Sequence, residues 1–210
     1  MNREICLIAS GVLTVSVTIF FICQGIAVFL DNSLTAWISF GTCIFLSWGY
    51  LITTIGHSCL CSADKKIAAE SAKIMGVIYS VFICIVYFSQ LTVVRQAVLG
   101  PDILNAFSFD YPGSWLFSMD IIGYGIMALS TIFLGLSIEP ETKSDNILRW
   151  TSLIHGIFVV CIFIPMTSLF LGNSGNSGLN IGAIALMTWC VIFFPIAFCS
   201  FLRFKNAKQI

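Results

Sequence analysis

Residues 5–30 read ICLIASGVLTVSVTIFFICQGIAVFL, a run from Ile5 to Leu30 without one charged side chain. Its apolar residues fall on every side of a helical projection, with no alternation of period two. About 20 such residues cross the ~30 Å hydrocarbon layer of a bilayer as a helix. In lipid the backbone must satisfy its own hydrogen bonds, which leaves helices or closed barrels. A barrel would alternate apolar and polar residues over segments of about ten, so this run is a membrane-spanning helix.

Five further stretches share that texture: 34–58, 74–94, 114–138, 150–171 and 179–202. The breaks between them are chemically apt: Asp31-Asn32-Ser33, Asp64-Lys65-Lys66, Gly100-Pro101-Asp102, Glu139-Pro140-Glu141 and Gly172-Asn173-Ser174-Gly175. The reading is an all-α integral membrane protein, one domain over residues 1–210, folded as a bundle of six transmembrane helices. Composition agrees: 58% of residues are hydrophobic, 10% are charged and mean hydropathy is +0.98. A soluble domain carries about 25% charged residues to wet its surface. The net charge of zero offers no basic field for nucleic acid.

Orientation follows from the ten Lys and Arg residues, because basic residues collect on the cytoplasmic side. With the N-terminus inside, Arg3, Lys65, Lys66, Lys73, Lys143, Arg149, Arg203, Lys205 and Lys208 are all cytoplasmic, and Arg95 alone lies outside. The expectation is a multi-pass protein, placed in the plasma membrane, with both ends inside. The first span is too long for the 7–15-residue core of a signal peptide and is read as retained. None of the nine cysteines falls in an external loop, so no disulfide framework is implied.

The connection from Gln96 to Gly113 has the most character. Pro101 suits a first helical position, and Phe109, Tyr111 and Trp115 match an interfacial aromatic belt. It reads either as a loop anchored at the headgroups or as a lid over an external pocket.

Charges inside a span are costly and usually face the bundle interior or a partner. Asp120 lies one to two turns into the fourth span, with Tyr124 four residues on and hence on the same face. Arg95 ends the third span in the same leaflet, with Gln90 nearby, so an Arg95–Asp120 pair is expected, Asp110 competing for Arg95. Such a pair is either a clamp between helices or the heart of an outward-side site for a small polar or cationic ligand. A second constellation is His57, Cys59, Cys61 and His155, all near the inner leaflet. Soft metals use such ligands and two histidines can hold a haem, whereas the plainer reading is packing histidines and no cofactor. Gly49 and Gly56 give one smooth stripe for close helix packing.

Three function classes emerge. The first is a small permease or ligand-binding membrane protein with its site between the third and fourth spans, more a binder than an enzyme. The second is a structural or regulatory subunit whose function rests with a membrane protein partner. The third is a haem or metal oxidoreductase on His57 and His155. The chain has no Cys-x-x-Cys of the kind quinone-linked thiol oxidoreductases require.

Overall fold

The computed structural model describes residues 2–29, 33–96, 99–108, 114–163 and 181–207. Those residues are helical almost throughout and include no strand. Helix α1 is Arg3–Phe29, α2 Ser33–Leu60 and α3 Lys66–Ser89, the last entered through a short 3-10 turn and prolonged by a π-turn over Gln90–Val94. A short helix α4, Pro101–Phe107, precedes α5, Trp115–Ser137. Helix α6, Lys143–His155, tightens into 3-10 geometry over Gly156–Phe163, and α7 is Ile181–Asn206.

Five helices, α1, α2, α3, α5 and α7, are long and apolar enough to cross a membrane. At 1.5 Å per residue the 27 residues of α1 extend about 40 Å, more than the hydrocarbon thickness. The remaining expected span, 150–171, begins earlier than its apolar run suggests, because the polar segment from Lys143 is already helical. There Thr142 accepts from the Asp145 backbone N–H (3.2 Å) while the Asp145 carboxylate accepts from that of Thr142 (3.0 Å), a capping box. Residues 164–180, with the rest of that stretch and the break after it, lie outside the described residues. Helix α3 likewise starts eight residues before its apolar run, carried by Glu70, which pairs with Lys66 and Lys73 one turn to either side.

The helices pack as a ring in chain order: α1 on α2, α2 on α3, α3 on α5, α5 on α6, α6 on α7, and α7 back on α1. Closure places the start of α1 beside the last turn of α7. Arg3 donates to the Phe204 carbonyl (3.2 Å) and to that of Lys205 (2.6 Å). Ile8, Ile22, Val81, Phe88, Ile157 and Val191 face outward, as suits an exterior solvated by lipid. Leu13, Phe20, Leu46, Ile83, Leu116, Met127 and Phe193 fill the interior.

Small residues set the helix separations. A Cβ on Gly49 would stand 2.9 Å from the Ala9 carbonyl oxygen, and one on Gly135 2.9 Å from that of Arg149. Where α3 meets α5, Ser130 donates to the Ala72 carbonyl (2.6 Å) and accepts from Tyr50 (2.8 Å), binding three helices through one hydroxyl.

Candidate functional site

Two groups of polar residues, near opposite ends of the bundle, are relevant to a site. At the end where α1 starts and α7 finishes, one group fastens helix to helix. Arg203 of α7 approaches Asp145 of α6 at 3.0 Å and donates to the Glu139 carbonyl (3.3 Å). Ser62 donates to the Glu139 carboxylate (2.8 Å), and Lys66 to the Ser58 carbonyl (2.9 Å). Burial pushes the Asp145 pKa up, but the Thr142 hydroxyl, the Arg203 charge and the Thr142 and Glu141 backbone N–H groups outweigh it. The carboxyl is held below the usual aspartate range.

At the other end the structure separates the two charges expected to pair. Arg95 is exposed and Asp120 is buried, and among the described residues no ion pair joins them. The cause is local. The π-turn over Gln90–Val94 inserts an extra residue into the last turns of α3 and rotates the residues beyond it. Gln90, buried at its start, donates to the Phe107 carbonyl (2.6 Å) and so ties α4 to the bundle. None of the residues of α4 is buried. Phe107 meets Trp115 edge-on, with ring centroids 6.2 Å apart. Asp110, the competing partner, lies outside the described residues, as do Phe109 and Tyr111.

Asp120 instead belongs to a buried hydrogen-bonded wire. The Tyr87 hydroxyl of α3 bonds its carboxyl. Tyr124, one turn along α5, stands 3.4 Å from the Tyr87 hydroxyl, and Cys43 of α2 lies 3.8 Å from that of Tyr124. Each hydroxyl has one proton to give. Either partner of each contact can be the donor, because a hydroxyl or thiol both gives and accepts. Asp120 Oδ1 is buried without a hydrogen-bond partner among the described residues, as is the hydroxyl of Tyr79.

Aromatic rings wall this wire on its inner side. Tyr79 meets Tyr124 at 6.0 Å, Tyr124 meets Trp189 at 5.2 Å, and Trp189 stacks on Phe193 at 4.7 Å. Phe193 meets Tyr50 at 5.8 Å and Tyr50 returns to Tyr79 at 5.7 Å, closing the circuit. Tyr79, Tyr87 and Trp189 were not singled out from the sequence. A tyrosine or tryptophan within an apolar run, away from the interfacial belt where such rings normally sit, is the signal that points to them.

The histidines stay apart. His57 Nε2 is 2.9 Å from the Ser200 hydroxyl, and its ring lies on Phe204 at 4.7 Å. His155 Nδ1 is 2.9 Å from the Thr131 hydroxyl, and its ring faces Phe193. Ser200 and Phe193 are seven residues apart on α7, about 10 Å along the axis. Cys59 is exposed, and the Cys61 thiol is turned to the Ser58 carbonyl (3.3 Å). Among the described residues no three His, Cys, Asp or Glu side chains gather as metal ligands. His57, Cys59, Cys61 and His155 therefore do not form one cluster.

Compared with protein-family models, curated proteins and solved structures, the chain matches none.

Proposed function

We propose that the chain is a small non-enzymatic permease or ligand-binding protein of the plasma membrane that takes a small cation at Asp120 from the outer side. It crosses the bilayer six times, residues 150–171 and 179–202 supplying the last two spans, with both ends cytoplasmic. What carries the reading is Asp120 itself: a buried carboxyl, bonded by Tyr87, whose Oδ1 has no hydrogen-bond partner among the described residues. A buried charge is tolerated where it is paired, and an acceptor left open is costly unless a ligand or a proton completes it. Arg95 is not part of this site.

The test is thermal unfolding of the purified chain in detergent, across chlorides of sodium, potassium, ammonium and methylammonium and across steps of pH. A cation at a hundred times its Kd stabilises by about 2.7 kcal/mol, roughly 5–10 °C for a chain of this length. The wild type is expected to show such a response to one of these variables, and Asp120→Asn to lose it while remaining folded. A wild type indifferent to all of them, with Asp120→Asn more heat-stable, would make the carboxyl a structural burden and favour the subunit reading.

Sidedness has its own check. Cys59 is exposed at the end of the bundle that holds eight of the nine basic residues among those described. A membrane-impermeant maleimide should leave intact cells unlabelled and label inverted vesicles, and Cys59→Ser should remove most of that signal. Labelling of intact cells at Cys59 would reverse the orientation.

A further inference from the structure

Inward of Asp120, the buried polar side chains that its ligand site leaves unused fall in line. Asp145, Ser152 and His155 lie at positions i, i+7 and i+10 of α6, one face of the helix, and all are buried. Among the described residues Arg149 Nε, Ser152 Oγ and His155 Nε2 have no hydrogen-bond partner, nor has Nε1 of Trp189, whose ring meets that of His155 at 5.7 Å. Buried polar groups are nearly always paired. A row of open ones on a single helix face, continued by Trp189 toward Tyr124, marks a polar file along the seam between α5, α6 and α7.

His155 is taken in one tautomer, the one in which the Thr131 proton goes to the backbone. Thr131 has one hydroxyl proton and gives it to the Ala128 carbonyl (2.7 Å). In that tautomer its oxygen accepts from His155, 2.9 Å away, and Nδ1 carries the ring proton. Nε2 is then a bare lone pair facing the file. His155 also stands at mid-depth. Its partner Thr131 is eleven residues along α5 from Asp120, about 16 Å, and Asp145 is ten residues back along α6, about 15 Å.

We propose that His155 is a second proton station and that this seam conducts protons between Asp120 and the end of the bundle that carries Asp145 and Arg203. The inference rests on the cation reading of Asp120 and names that cation as a proton. Water carries the proton to Nε2, where an N–H bond forms and gives the imidazolium while Nδ1–H stays on Thr131. The Nε2–H bond then breaks to water beside Ser152, and nothing is oxidised or reduced. The groups set against the ring are Thr131 from α5, Phe158 from the 3-10 turn, and Trp189 and Phe193 from α7, none of which titrates in the working range. The nearest charges on α6 are Arg149, six residues away, and Asp145, which faces Arg203. Tyr124 reaches the ring only through Trp189.

The experiment is proton uptake by proteoliposomes of the purified full chain, with a pH-sensitive dye inside and a valinomycin-set potassium potential, negative within. The wild type should acidify the lumen several-fold faster than protein-free vesicles. His155→Gln keeps a hydrogen-bonding side chain but cannot hold a proton, and should fall to the background rate while retaining the pH response that depends on Asp120. If His155→Gln does not fold, Ser152→Ala removes the next open hydroxyl of the file and should slow uptake. Wild-type uptake at the background rate overturns the proposal, as does a folded His155→Gln or Ser152→Ala at the wild-type rate. In those cases a surviving Asp120-dependent thermal response leaves the ligand site standing, and its loss as well strikes both readings.

Discussion

Gly49→Leu is expected to leave no folded, monodisperse protein in detergent, the largest effect of any single substitution considered for this chain. Gly49 lies where α2 crosses α1. An added Cβ would meet the Ala9 carbonyl oxygen at 2.9 Å, the Leu13 backbone nitrogen at 3.0 Å and the Leu13 Cβ at 3.1 Å. Two of the three are backbone atoms, which cannot turn aside as a side chain can. Either α1 moves away along its length or the residue does not fit. Even Gly49→Ala should cost about 1–3 kcal/mol, the usual range for overpacking. The contrast is Gly41→Ala on the same helix, whose Cβ would meet nothing within 4 Å. There the better helix propensity of alanine should make the change neutral or stabilising by up to about 1 kcal/mol. Size-exclusion profiles and unfolding temperatures of the three variants decide the matter. A monodisperse Gly49→Leu with wild-type stability would show that the α1–α2 contact is not the tight one described.

That crossing was legible in the sequence because it is local: Gly49 and Gly56 recur on one helix face, and a packing stripe needs no more. The long apolar runs were legible for a related reason, since hydropathy over about 20 residues is nearly all that a lipid-facing helix requires. Asp120 stood out as a charge where charges are costly. The pairing of Arg95 with Asp120 did not hold, because it assumed that α3 stays a regular helix to its end, and the π-turn over Gln90–Val94 breaks that assumption. Nor does any window of sequence reveal that Tyr79, Tyr87, Tyr124 and Trp189, drawn from α3, α5 and α7, share one interior. Ring closure brings them together, and closure is a property of the whole bundle. The histidines fail as a cluster for the converse reason: both reach toward α7, but at levels about 10 Å apart.

Removing one member of the ion pair at the other end should cost more than removing both. Arg203 reaches Asp145 at 3.0 Å, with the two side chains 15% and 6% exposed, so the contact is largely shielded from water. The approach is ionic rather than an aligned hydrogen bond, since Asp145 Oδ1 has no hydrogen-bond partner among the described residues. Arg203→Met leaves the carboxylate enclosed without its counter-charge, for which about 3 kcal/mol is the expected loss. In a chain of this length that is roughly 6–12 °C in unfolding temperature. Asp145→Asn combined with Arg203→Met should recover much of it, because no stranded charge remains. The pH dependence gives a second readout whose sign is fixed. Asp145 is held below its ordinary value of about 3.9. Its contribution to stability is therefore complete above that value and is lost as the pH falls through the lower folded-state value. With Arg203 gone, a main cause of the depression is gone too, and the carboxyl accepts its proton more readily. The gap between wild type and Arg203→Met should accordingly be widest above about pH 5 and should close as the pH drops below about 4. A gap that stays constant down to pH 3 would mean that Arg203 stabilises the bundle through its packing and its bond to the Glu139 carbonyl, and not through the charge of Asp145.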